Sequence, residues 1–442
     1  MTDLKKKMTL YGLTMVAIGS CVGSGIFLTP SQIAGHVVSP SLILIVWGVG
    51  GIMALSGALT FAELGARFPA AGGIYVFLRE GYNNLFAFLY GWCNILVVNT
   101  GAIAALSLGF ASYTAYIFPM GEMGKLGVAI GGIVLVTLIN IFGVKKGEGF
   151  SNLFTGLKLL GIIGIILLGL AWGKGSMNTY EFTVEPISGS WVSAIGLALI
   201  GVIFSYGGFQ HASFLAGEAK DPKRNIPLSM IMGTLVVTTV YLLTNLAYLF
   251  LLPADQLSAS EDVAARAITT IIPEGGVIIA AIIAISCLGT AGIYTLSVPR
   301  IYFAMAKDGV FFKKLATLHP KYQTPVNAIL MQSTWAIVLL LFWGSFADLI
   351  TYVLFTDWIF LTLAAISIFI FRIRGKENSQ FKTLGYPITP LVFIGLSLFL
   401  LGNTLIEKPT HAIAGLGLLL CGIPFYFLFR SLNKKSQNHE NS

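Results

Sequence analysis

Charge is what this chain has least of. Asp, Glu, Lys and Arg make up only 10% of its 442 residues, against roughly 25% in soluble domains. Hydrophobic residues make up 56%, and the mean hydropathy is +0.83. A soluble core cannot absorb that ratio, so the chain reads as an all-α polytopic membrane protein lying in a lipid bilayer. Cysteine is scarce too. Cys21, Cys93, Cys287 and Cys421 all fall in apolar segments, where they act as small hydrophobes rather than disulfides or metal ligands. There is no Gly-x-x-x-x-Gly-Lys-Ser/Thr run, no His/Asp/Ser constellation and no metal-ligand spacing. The expectation is therefore no enzyme, no cofactor and no metal. Lys5, Lys6 and Lys7 precede a long apolar stretch without a small-residue cleavage site, so the first helix is expected to be retained.

Stretches of roughly 20 apolar residues are long enough to span a bilayer. They fall at about 9–36, 40–68, 83–117, 126–144, 149–172, 191–216, 227–252, 275–305, 325–343, 347–371, 388–406 and 411–430. Twelve helices place both termini on one side. Lys125, Lys174, Arg266 and Lys408 fall in segments on the far side, and Lys158 falls inside a helix. The remaining 22 of the 27 Lys and Arg residues share the side of the termini. That asymmetry is the positive-inside bias, with both termini cytoplasmic. The formal net charge of +8 thus reflects topology and implies no nucleic-acid partner. Residues 433–442 are polar and read as a disordered cytoplasmic tail.

Two segments are interrupted. In the first, Gly19-Ser20-Cys21-Val22-Gly23-Ser24-Gly25 is too rich in Gly for an unbroken helix, since each costs about 1 kcal/mol against Ala. In the sixth, the run is Phe204-Ser205-Tyr206-Gly207-Gly208-Phe209. Unwound backbone in a bilayer is tolerated only where protein buries it or a wet cavity meets it. Small-residue packing is the plain alternative for the first run, and an aromatic-packed bend for the second. Breaks at matching places in two halves point instead to a transporter site, with an anion at the start of a half-helix. The halves are then a 5+5 inverted repeat, 9–172 and 191–371, with helices 11 and 12 appended at 388–430.

Three further stretches carry signals. Glu63 to Tyr75 ends the second segment with Pro69, Gly72 and Gly73, and Asp221-Pro222 opens a turn before Pro227. From Arg300 to Lys321, the stretch carries lysines on one side and Phe303, Phe311, Phe312 and Leu315 on the other, a pattern that suits a membrane surface or ordinary loop packing. The outer loop Pro253 to Pro273 has no assigned function.

Two charges lie inside the membrane. Lys158 is twelve residues beyond Lys146, about 18 Å along a helix, which is deep for a snorkelling side chain. A fixed ammonium there could occupy the space of a coupling sodium ion, or titrate. Asp357, in Thr356-Asp357-Trp358, could line a pocket, carry a proton, or bond a neighbouring hydroxyl. Gln210 and His211 could meet substrate or cap freed backbone.

The motifs Gly23-Ser24-Gly25-Ile26-Phe27, Pro69-Ala70-Ala71-Gly72-Gly73-Ile74-Tyr75, Gly91-Trp92, Glu218-Ala219-Lys220-Asp221-Pro222-Lys223-Arg224-Asn225-Ile226-Pro227 and Ala304-Met305-Ala306-Lys307-Asp308-Gly309 resemble the amino acid–polyamine–organocation superfamily along nearly the whole chain. The sixth-segment break and Lys158 look most like the L-type amino acid transporters and their bacterial exchangers. That resemblance implies substrate carboxylate binding by the amides of Ser24, Gly25 and Ile26, and ammonium binding by the carbonyls of Cys21, Phe204, Ser205 and Gly207. It further implies Phe204 as a lid, Lys158 in place of a sodium site, and Asp357 with Trp358 beside the substrate side chain. Phe209 stands where many relatives carry Trp, Asp357 where some carry Asn, and Val298 where Ser is more usual. Pro119 to Lys125 lacks the Cys with which animal relatives bond a glycoprotein, so no disulfide-linked heavy subunit is expected. The implied activity is sodium-independent exchange of small neutral L-amino acids across the plasma membrane (the inner membrane in a bacterium). Proton-coupled symport is the alternative, and a non-transporting sensor the more distant one.

Overall fold

A computed structural model describes residues 4–37, 39–173, 190–260, 262–342, 346–375 and 379–440. Lys174 and Lys376, two of the basic residues counted above, lie outside these, as do residues 441–442. Among the described residues the elements are helices, and the only β pairing is a bridge between Met8 and Ala219.

The first helix is split into α1a (Leu10–Cys21) and α1b (Gly25–His36). Next come α2 (Pro40–Arg67), α3 (Asn84–Ile117), α4 (Glu122–Ile141) and α5 (Val144–Trp172). The sixth is split into α6a (Trp191–Tyr206) and a single turn, α6b (His211–Phe214). Then follow α7 (Pro222–Leu251), α8 (Gly275–Lys307), α9 (Val326–Phe342), α10 (Phe346–Ile373), α11 (Ile388–Glu407) and α12 (Pro409–Glu440). Ten of these are long and apolar enough to cross a membrane, while α6a and α9 are shorter. Local chemistry sets several starts. Pro40 and Pro222 open α2 and α7, where a missing N–H costs nothing. The Asn83 side chain accepts from the Leu85 and Phe86 amides to cap α3.

Packing joins α1b to α6a, α1a to α6b, α2 to α7, α3 to α8 and α4 to α9. Helices 1 to 4 thus each meet the helix five further along the chain. α1a also packs on α5, α7 and α8, so the first broken helix runs through the middle of the bundle.

The structure departs from the sequence reading or completes it in four places. Phe204, Ser205 and Tyr206 remain helical, and the second break is confined to Gly207–Gln210. The reason is local: Gly208 holds φ at +128°, a conformation side chains disfavour, and the three residues before Gly207 have no need of it. Next, Phe303, Phe311 and Leu315 are buried while Phe312 is 54% exposed, so the 300–321 stretch mostly packs on protein. Its Phe311 ring packs at a tilt against Phe429 of α12, with ring centroids 5.0 Å apart, and the Asn433 side-chain amide donates to the Gly309 and Phe311 carbonyls. The outer loop contains helices Ala254–Ser258 and Val263–Thr269, which cover α1b and α8. Finally, α12 continues through residues 433–440, expected as disordered tail. Lys434, Lys435 and Gln437 are good helix formers, and neither Gly nor Pro interrupts them.

One end of the bundle is tied by a fully buried ion pair. Arg300 donates to Glu218 through Nε at 2.9 Å and Nη2 at 2.8 Å, and its Nη1 reaches the Leu296 carbonyl. The Glu218 carbonyl accepts from the Lys7 and Met8 amides at 2.8 and 2.9 Å, which fastens the N-terminal segment across the same end. Removing one partner strands the other charge in low dielectric, at a cost of about 3–5 kcal/mol. Glu218→Ala and Arg300→Ala should therefore each lower the melting temperature of the detergent-purified protein markedly. A wild-type melt in both would show that the pair contributes little to the fold.

Candidate functional site

Unwinding α1 between Cys21 and Gly25 frees carbonyls on one side and amides on the other. The carbonyls are met from three neighbouring helices. Lys158 of α5, fully buried, donates from Nζ to Gly19 O at 2.7 Å, to Val22 O at 2.6 Å and to the Thr290 hydroxyl at 2.8 Å. Ser286 of α8 donates to Gly23 O at 2.9 Å. Tyr241 of α7 lies 2.9 Å from Cys21 O and 3.0 Å from Ser205 O, tying the two broken helices together. The ammonium thus sits among oxygens of the kind that hold a hard cation.

The amides face the other way. The Phe27 and Leu28 N–H groups return to Ser24 O. Those of Gly25 and Ile26 have no carbonyl four residues back to accept them, and Ser24 makes no side-chain cap. A twelve-residue α1b adds its dipole behind these donors.

The second break lies against the first. The Ser20 hydroxyl donates to Gly208 O at 2.8 Å, and a Cβ on Gly208 would sit 2.6 Å from the Ser20 carbonyl carbon. Likewise a Cβ on Gly25 would meet Ser205 Cα at 2.9 Å. Both glycines are there because two backbones approach closely. Gln210 caps freed backbone, its Oε1 accepting from the Gly208 amide at 3.2 Å, and His211 Nδ1 lies 2.7 Å from the Ser297 hydroxyl.

Between the breaks is a cavity with two lobes. The first is lined by Cys21, Gly23, Ser24 and Gly25, together with Thr290 and Leu106. The second reaches Asn99, His211, Asp357 and Trp358. Ala102, Phe204, Gly207 and Tyr294 line both, so the Phe204 ring stands between them. Of the residues expected in the site, Cys21, Ser24, Gly25, Phe204, Gly207, Asp357 and Trp358 line the cavity. Ile26 is fully buried, and neither it nor Ser205 lines either lobe; the Ser205 hydroxyl lies 2.9 Å from that of Thr29. Lys158 lies behind the break, not in the cavity.

Sequence reasoning missed several contributors. Ser286, Thr290 and Tyr294 recur every four residues, so one face of α8 presents them all to the break, a stripe legible in the sequence. Tyr241 gave no such signal. The third is a π turn in α3 at Asn94–Val98, a local widening often found at functional sites. The Thr100 hydroxyl takes up Ile95 O at 2.8 Å and the Trp335 indole takes up Leu96 O at 2.9 Å. Asn99, beyond the turn, contacts the Asn94 amide and lines the second lobe.

Comparison with known proteins gives a consistent picture. The family described as amino acid permease matches residues 8–424. The serine/threonine exchanger SteT of Bacillus subtilis (strain 168) is 35% identical over 433 residues, 96% of this chain and 97% of that protein. The human b(0,+)-type amino acid transporter 1 is 28% identical over 97% of this chain and 88% of its own length. The human cystine/glutamate transporter is 28% identical over 98% and 87%.

Lys158→Ala removes three hydrogen bonds to α1a, the break and α8 at once. It should lower substrate-driven flux by tenfold or more while leaving the amount of folded protein in the membrane nearly unchanged, as read by flux per molecule after quantitative blotting. Wild-type flux per molecule would show the ammonium to be a structural filler.

Proposed function

The chain belongs to the amino acid permease family, and on that premise we propose that it exchanges neutral L-amino acids across the plasma membrane without sodium, by alternating access. The observation that carries this reading is the meeting of two helix breaks at one cavity, with unpaired amides on one wall and Phe204 between its lobes. Amides of Ser24, Gly25 and Ile26 at the positive end of α1b suit a carboxylate. Carbonyls of Cys21, Phe204, Ser205 and Gly207 suit the α-ammonium, with the first and third shared with Tyr241. A zwitterion satisfies both ends of such a site and leaves no net charge to move through the membrane.

Lys158 supports sodium independence, because its Nζ holds oxygens that a sodium ion would otherwise need. Phe204 then acts as a lid over the bound amino acid, and the glycine breaks act as hinges when one bundle rocks against the other. Exchange follows if the empty carrier turns over slowly. Both termini are cytoplasmic in this reading, on the weight of the Lys and Arg distribution. No disulfide-linked heavy subunit is invoked, since the loop from Pro119 to Lys125 has no Cys.

Purified protein in proteoliposomes preloaded with labelled neutral amino acids, in sodium-free buffer, tests the reading. Efflux should need unlabelled amino acid outside. Efflux that ignores external substrate and follows an imposed pH gradient would replace exchange by proton coupling. Ser24→Trp fills the first lobe, so it should abolish binding to the purified carrier; retained affinity would move the site elsewhere.

A further inference from the structure

The second lobe carries chemistry that a zwitterionic head group does not use. We propose that it selects a substrate whose side chain ends in a cation, an ammonium or a guanidinium, with Asp357 as the residue that determines this specificity. The proposal rests on the exchange reading and extends its substrate class beyond neutral amino acids.

Asp357 and Trp358 enter the lobe from α10. The two fully buried carboxylates described here, Glu63 and Glu218, each have a cation of the protein's own, whereas the half-buried Asp357 has none. Glu63 meets Arg372 at 2.6 Å and Arg67 at 3.2 Å, and Glu218 meets Arg300 at 2.8 Å. Among the described residues, no hydrogen-bond donor and no cation stands against Asp357. No Lys or Arg lines the lobe, and the one histidine there, His211, is engaged by Ser297. An unmatched carboxylate at membrane depth is costly to keep charged, and a positive group arriving beside it relieves that cost, as protonation otherwise would.

The walls favour the same guest. Tyr90, Phe204, Phe209, Tyr294 and Trp358 surround the space beside the carboxylate, and aromatic faces attract ammonium and guanidinium groups. The two lobes share Phe204 and Gly207. An amino acid held by its carboxylate at the start of α1b can therefore send its side chain past Phe204 toward Asp357. A neutral aliphatic chain fills the lobe but leaves the charge unmatched. A chain of similar length ending in an ammonium gains a charge-assisted hydrogen bond.

Lysine and norleucine separate these cases, because they share a linear chain and differ in the terminal ammonium. In proteoliposomes exchanging labelled neutral amino acids, unlabelled lysine should inhibit at concentrations about tenfold or more below norleucine, and labelled lysine should enter against internal neutral substrate. Asp357→Asn should bring the lysine-to-norleucine ratio to about one or below, and Asp357→Glu should keep it above that of the Asn variant. Wild-type neutral exchange in which norleucine matches or beats lysine overturns the inference and leaves the exchange function standing. So does a ratio unchanged in Asp357→Asn. Loss of all exchange in the wild type, neutral and cationic alike, removes the exchange reading itself. If Asp357→Asn does not yield folded protein, the wild-type comparison of lysine with norleucine decides.

Discussion

Lipid offers no hydrogen-bond partner, so every backbone group released by unwinding a membrane helix must be satisfied inside the protein. The centre of this molecule is organised by that constraint. The break in α1 releases carbonyls at Gly19, Cys21, Val22 and Gly23, and Lys158, Tyr241 and Ser286 receive them. Those three residues come from α5, α7 and α8, which is why α1a must run through the middle of the bundle and touch all three. The Gly25 and Ile26 amides on the other side of the break have no such partner among the described residues.

The same economy explains why the two breaks sit together. Antiparallel packing of α1 on α6 brings Ser20 to Gly208 and Gly25 to Ser205. At that distance there is no room for a Cβ at either glycine. Tyr241 lies within hydrogen-bonding distance of one carbonyl of each broken helix, so movement of either is felt by the other through a single hydroxyl. Such shared ties suit a carrier in which one bundle must move as a body relative to the other.

The two lobes differ in chemistry. The first is lined largely by the glycines, serines and Cys21 of the first break, with Leu106, Phe204 and Tyr294, and the second is aromatic, with one carboxylate and an asparagine held beyond a π turn. Phe204 lines both lobes and so lies where they meet.

The sequence by itself determined the membrane class, the twelve apolar segments, the two breaks and the depth of Lys158, because each is a property of local composition and spacing. It also placed Asp357 at membrane depth, and a resemblance in short motifs pointed to the family. Only the tertiary structure decided what the breaks face. Tyr241, Ser286 and Thr290 are separated in sequence from the carbonyls they meet, and no periodicity records which helix lies beside which. The second break is shorter than its sequence suggests, because the positive φ at Gly208 is enough to turn the chain. Whether Asp357 had a partner was likewise unreadable, since pairing depends on which side chains from α3, α6, α8 and α10 converge. Local energies fix where a helix can end; the contacts that make an ending into a site are set by the packing of distant segments.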